Sequence, residues 1–248
     1  IDELHGLKVY FGLDTEQRID VQLISNTNIA VSTDLFDRMQ ETLSGPELRD
    51  WCQKVGLLDS GVDFADKRAR TSPLTVRAAR TFIVNYFRGR AVIAEKFDHS
   101  ETTPVICKSG ITDTEWQSLK TKTPNLWSDA GLLEAGKAFA GLIAAQRKAF
   151  APKLGGKKAN SDFAEKALNY AVLSAWAFTA GVLHGNAVRL KRHYALKDVS
   201  GRDPLNAAVL AKGRHKTDSD SYRGLGYRTD AKERGRLTEL FFLQAEKG

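Results

Sequence analysis

The fold is decided by DFAEKALNYAVLSAWAFTAGVL, Asp162 to Leu183. From Ala171 onward the stretch is apolar around most of the helical circumference rather than along one stripe. A helix of that kind belongs at the centre of a helical protein, wrapped on several sides. Ser161 stands in the N-cap position, and Gly181 and Gly185 weaken the far end. The apolar run Ala171 to Leu183 is shorter than the ~18 residues a membrane span needs, and it carries Ser174, Thr179 and Gly181. The expectation is a core helix with Trp176 inside it.

The flanking sequence supplies the helices that would wrap this one. Ser32 or Thr33 caps a helix from about Asp34, with Leu35, Met39 and Leu43 at successive turns. Gly45-Pro46 interrupts it. Pro46 then suits the first position of a second helix with Leu48, Trp51, Cys52 and Val55 on one face, ended by Gly56. Ser72-Pro73 predicts another start, with the stripe Val76, Ala79, Ile83 and Phe87 and Gly89 as terminator. Thr112 and Glu115 fit a capping box ahead of Trp116 and Leu119. Asp129 to Phe150 is an Ala-rich helix with Leu132, Leu133, Ala140, Ile143 and Ala144 inward. A final helix runs from about Asp230 to Glu246, with Leu237, Leu240, Phe241 and Leu243 inward. At the other end, Leu7 to Phe11 reads as a short strand, and Asp14 caps a helix extending to about Ile24.

The expected fold class is therefore mainly α, a bundle-like helical domain with a small α/β remnant at its N-terminus. Residues 1–31 form that α/β end and 32–150 a helical region. Ala151 to Asn160, with one Pro, two Gly and three Lys, marks a boundary. Residues 151–248 are a second helical region containing a basic segment, 184–236. The composition agrees: of 248 residues 42% are hydrophobic, 27% are charged and only 6 are Pro, which excludes disordered, collagen-like and membrane-bundle classes. Cys52 and Cys107 are too few for a disulfide framework, and both read as core thiols. Ile1-Asp2-Glu3-Leu4-His5 has neither a basic n-region nor an apolar h-region, and no initiator Met precedes it. The chain is expected to be an internal fragment or the ordered part of a longer cytoplasmic protein.

The charge points to function. The net charge is +7. Between His184 and Arg236 there are thirteen basic and six acidic residues, an excess equal to the net charge of the whole chain; elsewhere basic and acidic residues balance. Confinement of the excess to about a fifth of the sequence favours a polyanionic partner. The stretch Gly201 to Arg236 interleaves Arg and Lys with Tyr222, Tyr227 and glycines. Arg pairs with phosphate in a fork, Tyr stacks or hydrogen-bonds, and Gly admits close main-chain approach. The expected DNA-contacting residues are Arg189, Lys191, Arg192, Arg202, Arg214, Lys216, Tyr222, Arg223, Tyr227, Arg228, Arg234 and Arg236. The competing account pairs these arginines with Asp203, Asp218, Asp220 and Asp230, so that they hold the fold. A second basic group, Lys67-Arg68-Ala69-Arg70 with Arg77, Arg80, Arg88 and Arg90, reads as a solvated helix face, positions 77, 80 and 88 falling on one side.

No phosphate-binding glycine loop, no His-Glu-x-x-His and no Gly-x-Ser-x-Gly occurs. Gly224-Leu225-Gly226 lacks a preceding strand and a third glycine. The five histidines, His5, His99, His184, His193 and His215, have no ligand spacing. No catalytic set, metal or cofactor is expected.

The opening LKVYFGLDTEQRIDVQLISNTNIAVSTDLFDRM (residues 7–39) resembles the segment following the Asp-Gly-Gln-His-Arg motif in DGQHR-domain proteins, the DndB-like regulators of DNA sulfur modification. Gly12 to Glu16 and Ser25 to Val31 fill the family's helix and Asn-turn positions, and Arg202-Asp203-Pro204-Leu205 is similar to a pattern in its helical C-terminal half. The signature itself is absent and would lie upstream of Ile1. The resemblance implies a ParB-nuclease-like α/β part ending near residue 31. It also implies a DNA-binding regulator or accessory protein of a bacterial DNA-modification or phage-defence system. Duplex DNA is the expected partner, with a second copy or another protein of that system beside it, and no membrane. The alternatives are a nuclease or nucleotide-dependent enzyme completed by an upstream segment, and a structural interaction module.

Overall fold

The computed structural model describes residues 11–15, 17–18, 21, 32–67, 73–92, 107–150, 168–195 and 231–246, the side chains of 146–150 and 232 excepted. The expected strand at Leu7 to Phe11 lies almost wholly outside them, as does the boundary segment 151–160. Asp14 does cap a helical turn: its carboxylate accepts from Gln17 N at 2.8 Å, and Gln17 Oε1 accepts from Asp14 N at 3.2 Å.

Eight α-helices lie among the described residues: α1 (Thr33–Ser44), α2 (Glu47–Val55), α3 (Val76–Arg90), α4 (Asp113–Lys122), α5 (Ala130–Phe150), α6 (Tyr170–Val182), α7 (Ala187–Tyr194) and α8 (Ala231–Glu246). The protein is mainly α, as its periodicities predict. The caps are local and legible. Ser32 accepts from Leu35 N, Thr112 and Glu115 form the capping box, and Gly56 ends α2 at φ 82° by donating to the carbonyls of Cys52 and Gln53.

The central helix is α6, and every residue from Ala171 to Val182 is buried. It is shorter than its sequence suggests. Asn169 is extended at ψ 137°, and its side chain accepts from Ala171 N, so the helix starts at Tyr170; Ser161 lies outside the described residues. Parallel to α6 runs α3. Thr75 meets Tyr170 at their N-terminal ends (3.5 Å), Phe82 stacks on Trp176 midway (centroids 6.0 Å), and Gly89 meets Gly181 at their C-terminal ends. Gly89 is thus a contact, not a terminator. The α3 cap is Thr75, whose hydroxyl accepts from Ala78 N, not Ser72 with Pro73.

Trp51 of α2 and Phe139 of α5 complete an aromatic centre around Phe82 and Trp176. Helices from both sides of residue 151 thereby share one hydrophobic core. Two further expectations change. Ala144 is exposed while Phe139 and Leu142 turn inward, and Leu243 is 44% exposed while Phe242 and Ala245 take its place. The expected Leu132 and Ile143 of α5 and Leu237 and Phe241 of α8 are buried; the inward arc takes in the residues just before Ala140, Ala144 and Leu243 in place of those three.

Candidate nucleic-acid interface

The described part of the basic region comprises α7 and α8. Asn186 starts α7 by accepting from Arg189 N at 3.1 Å. The helix carries three cations and no acid. His193 points inward: its Nε2 donates to the Trp176 carbonyl at 3.1 Å, and its ring stacks on Trp176 at 4.5 Å. Desolvation in that cluster pushes His193 down to about 3, and burial pushes the neighbouring Tyr194 phenol well up. The opposite face presents Val188, Lys191 and Arg192 to solvent.

The predicted contact residues divide by what their side chains meet. Arg189 is an internal brace. Its guanidinium lies 3.9 Å over the Phe242 ring, donates to the Phe242 carbonyl at 3.3 Å and pairs with Glu246 at 3.3 Å, with 13% of the side chain exposed. Arg234 braces α8, donating from Nε to the Cys107 carbonyl at 3.1 Å and from Nη1 to Ser109 Oγ at 3.0 Å. Arg236 is half-buried. Arg192 donates to the Glu246 carbonyl at 2.9 Å yet remains exposed, as does Lys191. Arg202, Arg214, Lys216, Tyr222, Arg223, Tyr227 and Arg228 lie outside the described residues.

On α3 the second basic group is not a solvated face. α1 turns Asp37 and Glu41 inward instead of Leu35, Met39 and Leu43, which are half-buried. Asp37 accepts from Arg77 Nε at 2.8 Å, and that hydrogen bond raises the Arg77 guanidinium further. Arg80, 2% exposed, donates to Glu41 at 2.9 Å and Asp113 at 2.7 Å. A buried charge persists only when paired and hydrogen-bonded, as Arg80 is, while Arg77, its side chain 32% exposed, is held against the buried Asp37.

Arg88, two turns further along α3, is separate from that layer. It stands 3.9 Å from Glu115, and Lys108 engages the same carboxylate oxygen. Burial pushes the Glu115 carboxyl up, but hydrogen bonds from Lys108 and Thr112 more than offset it and leave it below its ordinary value. The Lys108 backbone is gripped from three helices. Asn85 of α3 donates to its carbonyl and accepts from its N–H, both at 2.8 Å; Ser174 of α6 donates to the carbonyl at 2.6 Å; and Arg234 of α8 bonds the residues on either side. No local sequence signal marks this meeting of Arg88, Lys108 and Arg234, because the residues are far apart in the chain.

Among the described residues no group of three or more His, Cys, Asp or Glu is placed to hold a metal ion, and no helix is long and apolar enough to cross a membrane. Cys52 and Cys107 are buried, and desolvation raises both thiols, so neither is an activated nucleophile. A shallow cleft of about 150 Å³ between Glu41, Pro46, Arg49 and Asp63 contains no residue of the basic region. Neither known protein families, nor curated proteins, nor solved structures give a match to this chain.

Proposed function

We propose that the chain binds duplex DNA through its C-terminal basic region, as a regulator or accessory protein of a DNA-modification or defence system. The observation that carries the DNA contact is the segregation of charge. The whole excess of +7 lies within residues 184–236, and Lys191 and Arg192 on α7 face solvent with no acid on that helix. A surface of this kind attracts a polyanion at long range and meets phosphates at short range. The regulatory role is supported only by the resemblance of residues 7–39 to DGQHR-domain proteins.

Arg189 and Arg234 hold helices together in this reading, and the phosphate contacts fall to Lys191, Arg192 and the segment beyond. The test is fluorescence anisotropy of a labelled duplex over a salt series, run beside a melting curve. Replacing Arg214, Lys216, Arg223 and Arg228 by Glu is expected to weaken binding at least about tenfold. It also flattens the slope of log K against log salt by about 0.9 for each phosphate no longer neutralised. Unchanged affinity in a folded variant overturns the proposal. Lost thermal stability with unchanged affinity establishes instead that these arginines pair internally.

A further inference from the structure

We infer that Arg88 and Lys108 form a second phosphate-contacting patch, joined to the C-terminal basic region at Arg234, so that the DNA surface continues onto the N-terminal helices; this rests on the reading of that region as a DNA interface. The joint is a tertiary one. Arg234 belongs to the basic segment, and its guanidinium bonds Cys107 and Ser109, the residues flanking Lys108. Basic residues separated in the sequence are thereby brought to one place.

The patch is built on a fixed support. Lys108 is held through its backbone by Asn85 and Ser174, and its side chain reaches out to the Glu115 carboxylate. A cation fixed in advance loses little freedom when it meets a phosphate. The Lys108 side chain is 45% exposed and that of Arg88 36%, and the two share the carboxylate of Glu115. Half-exposed pairs of this kind contribute little to stability, so a DNA phosphate can compete with Glu115 for the two cations. Arg77 and Arg80 on the same helix differ in this respect, each being matched to an inward-facing carboxylate of α1.

The experiment measures anisotropy of a short fluorescein-labelled DNA duplex with the full chain over a sodium chloride series, with a melting curve for each variant. Arg88→Ala with Lys108→Ala is expected to lower the salt slope by about 1.8 if each side chain meets one phosphate. Glu115→Gln keeps the capping-box hydrogen bond and removes the competing carboxylate, so affinity is expected to rise. Lys191→Glu with Arg192→Glu reports on the basic region by itself. If it weakens binding while the Arg88/Lys108 variant and Glu115→Gln both bind like the wild type, the second patch is overturned and the DNA reading stands. If the wild-type chain does not bind the duplex, both fall. Should the Arg88/Lys108 variant fail to fold, Glu115→Gln decides: a gain in affinity supports the patch and an unchanged affinity overturns it.

Discussion

Gly89 of α3 and Gly181 of α6 let two helix backbones touch. A Cβ on Gly181 would lie 2.0 Å from the Tyr86 carbonyl oxygen, and one on Gly89 2.1 Å from the Phe178 carbonyl oxygen. The obstructing atoms are backbone on both sides, so no side-chain rotation relieves the clash. Parallel helices with Phe82 and Trp176 between them midway can close to this distance only where both lack a side chain.

Gly181→Ala is therefore expected to force the two helices apart and destabilise the fold by about 1–3 kcal/mol or more, an overpacking cost. Gly185→Ala is the control. A Cβ there meets nothing within 4 Å, and the change is expected to stay within about 0.5 kcal/mol. Urea titration of the two variants separates them, and equal midpoints would show that the crossing does not depend on Gly181.

The Arg80–Glu41 pair holds α1 through charge rather than apolar contact. Removing one partner leaves the other buried and uncompensated. Arg80→Ala is expected to cost about 3–5 kcal/mol in a denaturant titration. Arg80→Met combined with Glu41→Leu should recover much of that loss, because both charges leave the interior together. A loss below about 1 kcal/mol for Arg80→Ala would show that the pair does not anchor α1.

His193 makes stability depend on pH. Its folded value, about 3, lies below the ordinary 6.5, so the unfolded chain binds a proton that the folded chain refuses. This contribution is fully present above pH 6.5 and is lost as pH falls from 6.5 towards 3, at about 1.4 kcal/mol per pH unit. His193→Gln keeps a donor for the Trp176 carbonyl but does not titrate. Its stability relative to the wild type is expected to improve steadily between pH 7 and pH 5 in urea titrations. A difference that does not change with pH would mean that His193 takes up its proton in the fold as readily as in the unfolded chain.

The sequence determines the features that depend on residues within a turn or two of each other. The capping box at Thr112 and Glu115, the Gly56 stop, the Leu48/Trp51/Cys52/Val55 face and the encircled helix around Trp176 are all readable, because an i to i+3 or i+4 relation sets each of them. Tertiary structure decides which charges remain available. α1 reads as an apolar stripe, yet it buries Asp37 and Glu41, because Arg77 and Arg80 wait across the interface. Arg189 and Arg234 read as phosphate ligands, yet one braces Phe242 and the other Cys107 and Ser109. Net charge is additive and visible in a composition count. The partner of each arginine depends on where helices distant in the chain cross, and no local pattern carries that.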